Sequence, residues 1–158
     1  MTPKFRIISG IIPILFAHSA SAVELSRCTA IDGTYSYLTH QECLKAYTMD
    51  PVRGESIKTI IDYYLQVGEW HMAYLYTKFA KVNFHGKNPY PTRLLFVDEA
   101  LYVWKFAESH AAACFYTGRM DEAKANYQEI LKAMKTHPQC FTPEDIKKVE
   151  MNGQFFNR

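Results

Sequence analysis

The clearest chemistry in this 158-residue chain belongs to four cysteines and two His-x-x-Cys pairs. His40-Gln-Glu-Cys43 and His137-Pro-Gln-Cys140 together offer two imidazoles and two thiols, the donor set of a tetrahedral zinc centre. Cys28 and Cys114 complete an even count, which in an oxidising compartment reads instead as two disulfides with three open connectivities. The two pairs stand far apart in sequence, so disulfides are the expectation and no metal or other cofactor is. Local bridges are expected, Cys28 with Cys43 and Cys114 with Cys140. Ser109 and His110 are neighbours, but adjacent residues on a helix point in different directions and make no nucleophile–base pair by themselves. His110 is expected to pack inside the fold. No phosphate-cradling glycine loop, Gly-x-Ser-x-Gly elbow or His-Glu-x-x-His pair occurs. Catalysis is therefore not expected.

The redox argument depends on compartment, and residues 1–22 address that. Lys4 and Arg6 make a positive start, Ile7 to Ala17 form an apolar run, and Ala20-Ser21-Ala22 places small residues at cleavage spacing. These are the three parts of a secretory signal peptide, with an apolar run too short to span a bilayer. Cleavage after Ala22 is expected, leaving residues 23–158 as one exported domain, periplasmic or secreted, without a stable membrane span. Losing Lys4 and Arg6 balances the remaining Lys and Arg against 16 acidic residues. A balanced chain without a basic stripe has no hold on a polyphosphate backbone, which argues against nucleic acid as a partner.

The elements that must position these groups read as helix after helix. Thr39-His-Gln-Glu42 has capping-box spacing and predicts a helix to about Met49. Asp50-Pro51 places a cap and a first-turn proline at the next start. Ile57, Ile60, Ile61, Tyr64 and Leu65 then repeat with helical period up to Gly68. Trp70, Ala73, Tyr74, Thr77 and Ala80 mark one face of a further helix. Residues 83–92 read as a loop, with Gly86, Pro89 and Pro91. A long helix is predicted from about Phe96 to Thr117, and its partner to about Thr136. Thr142-Pro143-Glu144-Asp145 signals a last helix, with a cap, a first-turn proline and acids at the positive helix end. No alternating run bounded by hairpin turns suggests a strand.

Superposing two glycines exposes a repeat. Gly68-Glu-Trp-His-Met-Ala73 matches Gly118-Arg-Met-Asp-Glu-Ala123; upstream, Ile61 and Tyr64 correspond to Ala111 and Cys114. Thr77 and Ala80 correspond to Tyr127 and Ile130. Small residues at the contact and a glycine between the helices are what two closely crossing helices need. The expected fold is all-α: a short tetratricopeptide-like repeat domain of five to six helices. Its offset of 50 residues exceeds the usual spacing of about 34, so the pair is irregular.

A more particular resemblance rests on Cys43-Leu-Lys-Ala-Tyr-Thr-Met-Asp-Pro-Val-Arg53-Gly-Glu, Tyr63-Tyr64 and Gly68-Glu-Trp-His-Met-Ala-Tyr-Leu-Tyr76. It continues through Tyr90-Pro-Thr-Arg-Leu-Leu-Phe96-Val, Ala100-Leu-Tyr-Val-Trp104, Tyr116-Thr-Gly-Arg119 and Asn152-Gly-Gln-Phe155. This order of motifs resembles the tetratricopeptide-like segment attached to glycosyltransferase domains in bacteria and large viruses. The resemblance implies a helical repeat domain and an association with glycan assembly. The sugar-nucleotide-binding domain that accompanies that segment is missing, and no Asp-x-Asp metal motif is present. Only an accessory role is therefore implied, not glycosyl transfer.

In tetratricopeptide-like pairs the inner surface comes mainly from the first helix of each hairpin. By position that surface comprises Glu55, Lys58, Asp62, Leu65 and Gln66, with Lys105, Glu108, Ala112, Phe115 and Tyr116. Charges beside aromatics suit a protein or peptide, since aromatics supply buried area and charges set register. The expected function is an exported interaction module binding a protein or peptide. The alternative is an accessory component of a glycosyltransferase or glycan-assembly pathway, with tyrosines stacking on a glycan.

Overall fold

The computed structural model describes residues 37–87 and 97–156, and no strand occurs among the described residues. The expected signal peptide, Cys28, Pro89 and Pro91 lie outside them. Among the described residues six α-helices follow one another: α1 (Tyr37–Met49), α2 (Glu55–Val67), α3 (Trp70–Asn83), α4 (Phe106–Tyr116), α5 (Met120–Thr136) and α6 (Pro143–Phe156). The all-helical expectation is met.

Apolar spacing explains why these segments are helical and which faces they bury. Ile57, Ile60, Ile61 and Leu65 of α2 are each at most 2% exposed, and burying such a side chain contributes about 1.5–3 kcal/mol. Ala73, Tyr74, Thr77 and Ala80 form the buried face of α3, and Ala123, Asn126, Tyr127 and Ile130 that of α5. Gly68 and Gly118 reverse the chain at φ of 79° and 78°, a region where a Cβ is strained. Behind each, an N–H closes the helix end: Glu69 onto the Tyr64 carbonyl at 3.0 Å, Arg119 onto Cys114 at 2.8 Å. The α6 start is capped at Thr142, as predicted, and the cap is reciprocal. Asp145 N–H donates to Thr142 Oγ1 at 3.1 Å, and Thr142 N–H donates to the Asp145 carboxylate at 2.9 Å.

Two predicted boundaries are corrected, and one predicted helix changes type along its length. The first helix begins at Tyr37, so Thr39 lies inside it rather than at its cap. Asp50-Pro51 does not start α2: Arg53 N–H bonds the Asp50 carbonyl at 3.1 Å, making a turn there. The helix waits for Gly54, whose carbonyl takes the Lys58 N–H at 2.9 Å and whose own N–H donates to Tyr102 Oη at 3.0 Å. The long helix before Gly118 is not uniform either. Leu101–Lys105 form a π-turn, with Phe106 N–H bonded to the Leu101 carbonyl. Leu101, Tyr102, Val103 and Trp104 of this turn are all buried. The wider turn aims Tyr102 back at α2 and Trp104 at the Cys140 carbonyl.

The two hairpins stack in the same sense. Tyr102, just before α4, meets Gly54 and Glu55 at the start of α2. Tyr74 and Lys81 of α3 meet Glu122 and Glu129 of α5, both pairs 48 residues apart. First helix therefore runs parallel with first helix, and second with second. Helix α1 packs beside α2, and α6 closes the other end against α5.

Candidate functional site

The residues predicted as an inner surface do not form one open face. Lys58 and Asp62 pair with each other along α2, and Gln66 is exposed near its end. Leu65 and Ala112 are buried in the core, and Glu55 accepts the Tyr102 hydroxyl at 3.1 Å. Lys105 pairs with Asp98 at 2.7 Å, and Glu108 with Lys148 of α6 at 2.8 Å. Phe115 lies against Phe155 and Phe156, both at 6.1 Å between ring centroids. Helix α6 thus stands over Glu108 and Phe115. Tyr116 stacks on Trp70 at 4.1 Å, joining the two hairpin turns.

The expected bridge between Cys114 and Cys140 is not formed; both are buried thiols. Each has other company: Cys114 Sγ lies 3.6 Å from His110 Nε2, and the Cys140 carbonyl accepts the Trp104 indole N–H at 2.9 Å. Cys43 is buried on α1, and the other expected bridge involves Cys28, outside the described residues. The His-x-x-Cys pairs do not converge on a zinc centre either. His40 bonds Tyr76 Oη at 3.1 Å, while His137 is exposed beside Thr136.

Where the hairpins cross, the fold assembles a cluster of another kind. His110 and Cys114 lie one turn apart on α4, and Glu122 rises from the first turn of α5. His110 Nε2 is 2.9 Å from Glu122 Oε1, and Tyr74 donates its hydroxyl to Glu122 Oε2 at 3.2 Å. The Tyr74 ring stacks on the imidazole at 5.4 Å, and Arg119 lies 4.0 Å above that ring. Thr77 Oγ1 is 2.8 Å from His110 Nδ1 and 3.0 Å from the Tyr74 carbonyl. Ionised Glu122 can only accept, so Nε2 is the donor across that 2.9 Å contact, and the Thr77 hydroxyl gives its hydrogen to Nδ1. Nε2 thus faces both Glu122 and Cys114.

Burial sets the protonation of this cluster. It pushes the Cys114 thiol up to about 12, with the Glu122 charge adding to the effect. Burial also holds His110 below its ordinary value of 6.5. Burial raises the Glu122 carboxyl too, but the hydrogen bond and charge of His110 outweigh it and leave the group below 4.5. A thiol held protonated is a poor nucleophile. Cys114 and Glu122 also share one ring nitrogen, so they do not sit on opposite ends of a relay. The geometry is that of a ligand set rather than a nucleophilic triad.

Comparison with protein-family models, curated proteins and solved structures finds no match. The cluster therefore stands on its own geometry. Its members were visible singly in the sequence, since His110 and Cys114 have helical i, i+4 spacing. The approach of Glu122 and Thr77 from two other helices was not. A second concavity, of about 310 Å³, opens among His85, Val103, Glu129, Lys132 and His137, at the lower end of small-ligand sites.

Acid is expected to weaken the fold in two stages. Unfolded His110 takes up a proton near 6.5 while the buried ring resists, so stability falls as pH drops below 6.5. His85, also held down by burial, adds to this stage. Glu122 adds a further loss below 4.5, where the unfolded carboxyl protonates before the folded one. Urea midpoints at pH 7.5, 5.5 and 4.0 check the order, and His110→Gln should flatten the first stage. Midpoints rising with acid would contradict this account.

Proposed function

We propose that this chain is an exported tetratricopeptide-like interaction module, without catalysis of its own, that binds an acidic amphipathic helix of a partner protein. The repeat reading is supported by hairpins that stack in parallel, with a contact offset of 48 residues close to the sequence offset of 50. One observation carries the partner. Met72, Leu75, Phe79 and Val82 are 36%, 59%, 36% and 63% exposed, at successive spacings of three, four and three residues along α3. Such a stripe is the complement of an amphipathic helix reading i, i+3, i+7. Its charge is one-sided: α3 carries Lys78 and Lys81, the latter paired with Glu129 of α5, and no acidic residue. A basic helix with an apolar ridge favours acidic flanks and opposes basic ones.

Two synthetic helical peptides test this reading, both with leucines at that spacing, one flanked by glutamates and the other by lysines. Fluorescence anisotropy should detect binding of the acidic peptide, and Leu75→Glu should weaken it at least about tenfold, from the transfer free energy of one leucine. Lys58→Ala, away from the ridge, should leave it unchanged. Equal binding of the two peptides, no binding of either, or a dimer in sedimentation that Leu75→Glu dissolves would each overturn the proposal.

A further inference from the structure

We propose that His110, Cys114 and Glu122 form a zinc(II) site where the two helical hairpins cross. The three donor atoms, Nε2, Sγ and a carboxylate oxygen, all lie within 4.8 Å of one another. Zinc takes nitrogen, sulfur and oxygen ligands at about 2.0–2.3 Å, which sets the edges of a tetrahedron at roughly 3.3–3.7 Å. The Nε2–Sγ distance of 3.6 Å matches such an edge, and the Nε2–Oε1 distance of 2.9 Å needs to open by a few tenths of an ångström. Glu122 can supply that movement, because its side chain is 38% exposed while His110 is 2% exposed.

The surrounding groups hold these ligands as a metal site requires. A zinc-bound imidazole normally donates its other N–H to a fixed acceptor, which sets tautomer and ring plane. Thr77 Oγ1 lies 2.8 Å from Nδ1 and 3.0 Å from the Tyr74 carbonyl, so with metal on Nε2 it accepts the Nδ1 hydrogen and turns its own to that carbonyl. Tyr74 Oη holds the second carboxylate oxygen at 3.2 Å, leaving the first for the ion. Without an ion, neutral His110 donates its Nε2–H to the carboxylate Oε1 at 2.9 Å. The Nε2–H and S–H hydrogen pair lies among the three donors. A cation in its place satisfies all three at once.

The exchange balances simply. The Cys114 S–H bond breaks, a Zn–S bond forms, and the proton leaves to solvent. Neutral His110 moves its ring hydrogen from Nε2 to Nδ1, where Thr77 accepts it, and ionised Glu122 has none to lose. One proton released per ion makes the affinity rise with pH. The charges facing the cluster are Lys78 and Lys81 from α3, Arg119 from the turn and Glu122 from α5. Lys78 is bonded to Tyr74 Oη at 3.2 Å, and Arg119 lies over the Tyr74 ring, so two of the cations bear on the tyrosine rather than on the donors. Lys81 is engaged by Glu129 at 2.9 Å. Solvent reaches the cluster along Glu122, which leaves a water or a partner side chain as the fourth ligand.

Cobalt(II) added to the purified chain is the test, because a thiolate bound to tetrahedral cobalt absorbs in the near ultraviolet and the visible. The expected result is both bands at one equivalent, lost when zinc(II) is added, with zinc uptake confirmed by equilibrium dialysis. Cys114→Ala should abolish the near-ultraviolet band, and Cys140→Ala should retain it. Thr77→Val should lower zinc affinity on the order of 10–100-fold while keeping the band. Should Cys114→Ala fail to fold, Glu122→Gln at a half-exposed position serves instead, with a weaker affinity expected. Absence of the thiolate band, or zinc uptake that ignores Cys114→Ala and Glu122→Gln, would overturn the assignment.

Discussion

Trp104→Ala is expected to destabilise the chain by about 3–5 kcal/mol, a large share of the 5–15 kcal/mol typical of a whole domain. Trp104 is 1% exposed, stacks on Phe141 at 4.7 Å and donates its indole N–H to the Cys140 carbonyl at 2.9 Å. Alanine would lose the transfer free energy, leave a cavity beside the π-turn and orphan a buried carbonyl. Trp104→Phe separates these effects. It keeps an aromatic against Phe141 and gives up the hydrogen bond, so the expected loss is smaller. Urea midpoints of the two variants against the parent check the order. A loss under about 1 kcal/mol for the alanine would mean that this contact does not anchor the segment after α5.

Gly153→Ala should destabilise by about 1–3 kcal/mol, the reverse of what helix propensity alone implies. Gly153 lies inside α6, where alanine ordinarily gains about 0.5–1 kcal/mol. Here an added Cβ would overlap Tyr127 Oη and come within 3.0 Å of its ring. The tyrosine cannot swing aside easily. Its hydroxyl donates to the Val149 carbonyl at 3.0 Å, and its ring stacks on Phe156 at 4.9 Å. Pairing Gly153→Ala with Tyr127→Phe removes the overlapping oxygen and should recover part of the loss. Additive losses in the double variant would show that the clash is not the cause.

Residue patterns carried the helices well and the contacts between them poorly. Gly68 and Gly118 were legible as reversal points because a left-handed residue between two apolar periods has few alternatives. Thr142 to Asp145 was legible for the same local reason. Asp50-Pro51 misled, since the cap-and-proline signal was outweighed by Gly54, whose N–H finds Tyr102 on another helix. The π-turn was invisible too. Four buried residues in a row give no helical period, and their aims are set by partners about 40 residues away.

The cysteines show the same division. Counting them gave an even number and hence an expected Cys114–Cys140 bridge, but pairing depends on where Cβ atoms point, which no count contains. The fold directs Cys114 at His110, and the two helices beside it supply Thr77 and Glu122. The predicted inner surface met a similar limit: Glu108 and Phe115 suit a recognition face by position, and α6 lies over them.

From its own residues, then, the chain specifies the helices, their reversal points and the apolar side of each, because these follow from periods and torsions within a few neighbouring residues. Which buried polar groups meet at the hairpin crossing, and which apolar stripe stays uncovered on α3, follow from packing among helices far apart along the chain. Side-chain direction and distance decide those contacts, and they exist only once the helices have docked.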